Sequence, residues 1–387
     1  MNQLLARCTL ISGIIVAELC AASAANAAPP ANPDNKVFVG YLFSAPRDNK
    51  FPLYTHICHA FLVADAEGRV RTGRNVPNRE LTAKAHQAGV KVLVSLGGWG
   101  WDSQFASIVS KPEAEERYFK SVMAIVDEND YDGIDLDWEY PDNDQEVVGF
   151  ERLTRRFRQA LDALGTKKNR SMVVTMAASS NPGTLKWLGK DFLLETMDWI
   201  NVMTYDFTGD WTNYAGHHSP LFASSKQPPG RGRSTEATMK YLVEERGLPA
   251  NRLAVGIPLY GRGFGVKEPY ASTKDAKKTG VPRGGNYSSL HRLEREQGWS
   301  RIWDDETKNP WLISPDHSVV VGYDDAESVA LKTEWAIKQG FRGVFFWQIA
   351  ADRMPDGTNP LQEASRTKLD ETVRNAPQPT KSAAPAK

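Results

Sequence analysis

Apolar residues along this chain gather into short blocks at intervals suited to alternating strands and helices. Eight blocks read as strands: Lys36–Phe43, Thr55–Val63, Val90–Leu96, Gly133–Glu139, Met172–Ala177, Trp199–Tyr205, Leu253–Tyr260 and Gly343–Trp347. Most are continuous apolar runs, the pattern of a parallel sheet covered on both faces. Between them the period lengthens. Phe119, Val122, Met123 and Val126 keep helical spacing after Pro112, which suits a first turn. Phe150, Leu153, Phe157, Leu161 and Leu164 do the same, with Gly165 read as the C-terminal cap. Residues 234–246, 326–339 and 360–374 are further helical stretches, whereas 47–53 is too short and too Pro-rich for a full helix. Eight strands alternating with helices predict a (β/α)8 TIM barrel rather than an open doubly wound sheet.

One interval breaks the rhythm. Residues 262–316, between the seventh strand and the next helix, are rich in Gly, Lys, Pro, Trp and Asp. A structureless loop of that length is improbable inside a compact domain, so a small inserted subdomain is expected. After a barrel strand it would rise from the C-terminal face and wall one side of a cleft.

The ends read differently from the barrel domain at 36–374. Residues 1–27 have the form of an export signal, with Arg7, an apolar run from Leu10 to Leu19 and the small-x-small Ala25-Asn26-Ala27. Glu18 interrupts the run, which is too short to span a membrane as a mature helix. Residues 28–35 are an Ala/Pro-rich lead-in, and 375–387 read as a disordered tail. Two of the 3 cysteines, Cys8 and Cys20, lie in the leader. Cleavage would leave Cys58, a small buried hydrophobe in an apolar strand, and no internal disulfide. Charge changes the picture little: 47 basic and 47 acidic residues cancel, which points neither to nucleic acid nor to an anionic membrane. A monomer is expected. The 11 Trp and 12 Tyr suit stacking on flat rings as well as core packing.

The candidate chemistry lies in Tyr131-Asp132-Gly133-Ile134-Asp135-Leu136-Asp137-Trp138-Glu139-Tyr140-Pro141. Successive side chains of a strand point to opposite faces, so Asp135, Asp137 and Glu139 share one face. Like charges in a poorly solvated site raise one another's pKa, an arrangement suited to general acid catalysis. A solvated acidic edge is opposed by the intervening Ile134, Leu136 and Trp138. A calcium loop is opposed by the missing sixth-position Gly and twelfth-position Glu. Other signals fail on geometry. His56 and His59 face opposite ways on a strand and cannot share a metal. His217-His218 sits in a polar loop with no companion ligand of fixed spacing. Gly261-Arg262-Gly263-Phe264-Gly265 departs from the dinucleotide fingerprint. No metal and no cofactor are expected.

The motifs together resemble glycoside hydrolase family 18, the chitinase family. Asp132, Asp135, Asp137 and Glu139 fit its Asp-x-x-Asp-x-Asp-x-Glu signature, and Ser95-Leu96-Gly97-Gly98 its Ser-x-Gly-Gly motif. Met203-Thr204-Tyr205-Asp206, Tyr260-Gly261-Arg262 and Gly343-Val344-Phe345-Phe346-Trp347 follow in order, the second preceding an α+β insertion as in some members. The resemblance implies hydrolysis of chitin or N-acetylglucosamine oligosaccharides with retention, the nucleophile being the substrate's own acetamide. Glu139 would be the general acid, Asp137 its partner and the holder of the acetamide N–H, and Asp135 the deeper acid beside Tyr41 and Ser95. Tyr205 would bond the acetamide oxygen and Asp206 the sugar hydroxyls, with Met203 on the same strand. Trp347 would be the stacking floor, Trp99 and Trp211 flanking platforms, Tyr260 and Arg262 polar contacts. Asp132 falls outside the alternating triad and reads as structural. An endo-β-N-acetylglucosaminidase acting on N-glycans and a non-catalytic chitin-binding lectin are the alternatives. Lectin-like members replace the last Glu, which is present here.

Overall fold

A computed structural model describes residues 36–375 except 44–49, 74, 229–232 and 277–284. The leader, the lead-in and the tail beyond Asn375 lie outside the described residues. The eight barrel strands are β1 Val37–Leu42, β2 His56–Ala64, β3 Lys91–Gly97, β4 Gly133–Asp137, β5 Val173–Ala178, β6 Trp199–Val202, β7 Leu253–Pro258 and β8 Gly343–Trp347. Each pairs in parallel with the next, and β8 pairs with β1, which closes the sheet into a (β/α)8 barrel. Closure leaves no barrel edge and gives every strand two buried faces, hence the continuous apolar runs.

Alternation divides the core in two. Outward-facing Ile134, Leu136 and Trp138 join the layer between sheet and helices, with Phe105, Phe150 and Phe157. Inward-facing Val39, Tyr41, Cys58, Leu93, Trp199, Tyr205 and Phe345 fill the barrel. Cys58 is fully buried there. The helix Asp144–Lys168 outruns the expected stop at Gly165, and Asn169 caps it in the left-handed conformation at φ 52°. Gly165 serves close approach instead: a Cβ there would lie 2.5 Å from the Arg170 carbonyl oxygen. The stretch expected as one helix at 234–246 begins α-helical at Thr235 and finishes as a π turn, Tyr241–Glu245.

Beyond β7 a second, five-stranded sheet folds around the helix Tyr287–Glu296. Its strands run from Tyr260 to Gly322, past both ends of the 262–316 interval. The overrun has a simple cause. Tyr260–Phe264, leaving the barrel, pairs antiparallel with Val320–Gly322, returning to it, and these strands were hidden in apolar flanks.

This sheet is tied to the barrel by a fully buried ion pair. Lys332, on the helix Ala326–Lys338, places Nζ 2.6 and 2.7 Å from the two Asp324 carboxylate oxygens. Ser219 at 2.6 Å, Ser328 at 2.7 Å and Asn309 at 3.0 Å also donate to that carboxylate. Burying such a pair is sustainable because its remaining lone pairs are satisfied.

Candidate functional site

The barrel register builds the site. Asp135 on β4 stands opposite Ser95 on β3 and Thr175 on β5. Both hydroxyls donate to it, Ser95 at 2.7 Å and Thr175 at 2.6 Å. Tyr41 reaches it at 2.9 Å from β1 and Asn201 at 3.3 Å from β6. Burial pushes Asp135 above the usual carboxylate range, and these four donors pull against that shift.

Asp137 lies one step nearer the mouth, opposite Gly97. At Gly97, φ is +106° and a Cβ would sit 2.4 Å from the Phe105 ring and 2.5 Å from the Asp137 carbonyl, so only glycine fits. Asp137 is buried, and its Oδ1 has no partner among the described residues. Burial first, then the charges of Glu139 and Asp135, drive its pKa well above the ordinary value. That shift favours the protonated form.

Glu139 follows the end of β4 and is half-buried. Tyr140 donates its hydroxyl to Glu139 Oε2 at 3.0 Å. Burial raises Glu139 to about 7; the Tyr140 hydrogen bond opposes that rise, and the charges of Asp102 and Asp206 add to it. A carboxyl poised there can give a proton and take one back near neutrality.

Tyr205 is buried with its ring 6.3 Å from Tyr260 and 6.1 Å from Phe345. Burial first, then Tyr260 and the charges of Asp137 and Glu139, push its hydroxyl well above the ordinary value. Met203 packs into the same interior cluster. Asp206, at a left-handed φ of 58°, accepts from two donors and lies near a buried histidine. Tyr260 and Arg262 each reach its Oδ1 at 2.8 Å, and His218 lies 3.4 Å away. Burial works against its charge, but His218 and Arg262 outweigh it and hold the carboxyl well below the usual range.

The expected aromatic platforms, Trp347, Trp99 and Trp211, lie at or after the C-terminal ends of β8, β3 and β6. Trp347, at the end of β8, stacks on Phe61 at 5.6 Å and 22° and lies 5.7 Å from Tyr41 and 5.8 Å from Phe43. Trp99 and Trp211 are 81% and 61% exposed, and one face of Trp211 is covered. The Arg262 guanidinium lies 4.8 Å from the Trp211 ring centre. Asp132 faces elsewhere: it accepts from His86 and from the Val92 amide, and meets Arg170 at 3.2 Å.

Thr175, Asn201, Tyr140, Phe61 and His218 join this network without having been assigned roles from the sequence. Strand alternation could have found Thr175, which sits two places from Val173 on the inward face of the next strand. His217 and His218 are not in a polar, solvated loop. Both are 1% exposed, His217 against Trp311 at 3.9 Å and His218 bonded to the Tyr260 carbonyl at 3.0 Å. The small sheet covers them. His59 turns away from His56 to bond Tyr131 at 2.8 Å. No cluster of three or more metal-ligating side chains occurs among the described residues.

The chain is similar to chitinase A1 of Niallia circulans, at 29% identity over 303 residues, 72% of this chain and 43% of that one. It thus spans less than half of that relative. Its fold superposes on a class V chitinase of Nicotiana tobaccum solved with NAG4, with a TM-score of 0.77, 22% identity and coverage of 87% of this chain and 99% of the other. A family 18 N-acetylglucosaminidase of Paenibacillus barengoltzii aligns with a TM-score of 0.73 and 26% identity, over 87% and 100% of the two chains. The family model for glycosyl hydrolases family 18 matches residues 37–352, the barrel and its insertion together. With that match spanning most of its length, the chain belongs to glycosyl hydrolases family 18.

Proposed function

We propose that this protein is a chitinase, cleaving β-1,4 linkages between N-acetylglucosamine units with retention. The observation that carries this reading is the acid ladder. Asp135, Asp137 and Glu139 rise along the barrel interior, and the outermost carboxyl is raised to about 7. Glu139 gives its proton to the glycosidic oxygen as the C1–O bond breaks. The carbonyl oxygen of the sugar's 2-acetamido group attacks C1 from the opposite face and forms an oxazolinium ion. Glu139, now a carboxylate, takes a proton from the water that opens the ring. Asp137 holds the acetamide N–H, which aims the carbonyl and offsets the positive charge that develops. Tyr205 donates to the acetamide oxygen, and Asp135 shares the proton of Asp137 from below.

Outside the reacting centre, Trp347 is the platform for the reacting sugar and Trp99 and Trp211 those of neighbouring sugars. Asp206, locked as a carboxylate by Arg262, Tyr260 and His218, accepts from sugar hydroxyls. The names of the relatives support chitin as the substrate class. Export through residues 1–27 belongs to the same reading, since chitin is outside the cell. No helix among the described residues is long and apolar enough to cross a membrane.

A time course with a chitin hexamer and an N-glycopeptide, run side by side, tests the substrate. Cleavage of the hexamer with the glycopeptide intact is expected; the reverse would make the protein an endo-β-N-acetylglucosaminidase. Proton NMR of the first product tests the mechanism: the β-anomer is expected, and α-anomer appearing first excludes acetamide attack.

A further inference from the structure

The barrel floor, at the end opposite the acids, carries a charge pattern that the reaction does not use. Lys36 precedes β1, His56 and Lys91 open β2 and β3, and Arg252 and Arg342 precede β7 and β8. Because β7, β8, β1, β2 and β3 are neighbours in the closed sheet, these five basic side chains form one uninterrupted arc. The rest of the rim is Asp132, Met172 and Asp198. Asp132 is engaged by His86 at 2.7 Å and Arg170 at 3.2 Å. Asp198, whose charge also acts on Arg252 and Arg342, is engaged by Arg158 at 3.1 Å and by the Val174 amide at 2.8 Å.

Two members of the arc, His56 and Arg342, meet Trp199, which packs in the barrel interior. The His56 ring lies 4.7 Å from the Trp199 ring, and the Arg342 guanidinium 6.0 Å from it. Lys91 is the partner of His56 across the β2–β3 ladder. Lys36 spends a proton on the Phe341 carbonyl at 2.7 Å, and Arg252 donates to the Leu194 and Met197 carbonyls. The two carbonyl contacts of Arg252 orient its guanidinium without neutralising it. Arg342 is different: its Nε is buried and has no acceptor among the described residues. Arg158 and Arg170 on the same rim also bury an unpartnered Nε, but each meets a carboxylate through its other nitrogens, as Arg342 does not among the described residues.

We propose that this floor binds a small oxyanion of the phosphate class, held by Arg342 and Lys91 beside His56, with Trp199 beneath it. A planar guanidinium with an open donor and a neighbouring ammonium are the groups that recognise such an anion. The ligand also resolves the charge crowding. Burial, Lys91 and Arg342 together push His56 down to about 3, so its ring stays neutral while the site is empty. A bound anion offsets both cations and moves that pKa up.

The test uses the full chain with inorganic phosphate, at constant ionic strength set with sodium chloride. A saturable rise in Tm is expected, about 2 °C at ten times the Kd. Lys91→Gln and Arg342→Gln should each abolish it while leaving kcat/KM within about twofold of wild type, since neither touches the acids. Independently of both variants, the His56 ring resonances should move with phosphate and titrate at higher pH in its presence. A Tm that does not respond saturably in the wild-type chain overturns the proposal. An undiminished response in Lys91→Gln, or His56 resonances unmoved by phosphate, does so equally.

Discussion

At the residue scale, the proposed reaction turns on one proton on Glu139, which burial favours and the Tyr140 hydrogen bond opposes. Removing that proton's home while keeping the shape isolates its role. Glu139→Gln is expected to lower kcat by about 10²- to 10⁴-fold while oligosaccharide affinity stays within a few-fold. Equal loss of both, in steady-state kinetics paired with calorimetry, would make Glu139 structural. Tyr140 is a positioning residue of opposite sign. Its hydroxyl at 3.0 Å stabilises the carboxylate, so it holds the Glu139 pKa below what burial alone would give. Tyr140→Phe should therefore shift the basic limb of the kcat profile to higher pH, because Glu139 then keeps its proton longer. A limb that stays in place or moves down contradicts the contact.

At the scale of elements, the insertion is fastened to the barrel through Lys332 and Asp324. Lys332→Met removes the cation and strands Asp324, fully buried, without its counter-charge. The expected cost is about 3–5 kcal/mol, and the double variant with Asp324→Asn should recover a large part of it. Chemical denaturation of the four proteins of the cycle checks this; a double variant as unstable as Lys332→Met would refute it. The sequence was informative where period alone decides structure. All eight barrel strands were legible, as was the shared face of Asp135 and Asp137, because alternation in a covered sheet leaves little freedom; Glu139 lies past the end of that strand. Contacts that depend on a turn or on a distant segment were not. The Tyr140 hydroxyl reaches Glu139 only through the chain's path after β4. His217-His218 looks polar in one dimension and is buried because Trp311, nearly a hundred positions on, folds over it. Gly165 carried a cap-like pattern but meets its physical need, close approach to Arg170, three residues before the helix ends.

At the scale of the whole molecule, the acid ladder costs stability, and the cost has a sign in pH. Asp137 has a folded pKa well above its unfolded value of 3.8, so the native state binds the extra proton. Stability therefore falls as pH rises from about 4 upward, and nothing is lost below that, where both states are protonated. Asp137→Asn should raise Tm at pH 8 and leave it nearly unchanged at pH 3, while turnover drops. A gain of equal size at both pH values would locate the effect in packing. The same barrel that supplies eight strand ends for the site supplies the burial that makes a carboxyl titrate near neutrality. Carbon-13 NMR titration of the Glu139 carboxyl, assigned by its disappearance in Glu139→Gln, measures that link without reference to substrate. A midpoint near 7 is predicted; a midpoint in the ordinary glutamate range, about 4.3, would contradict the account at its centre.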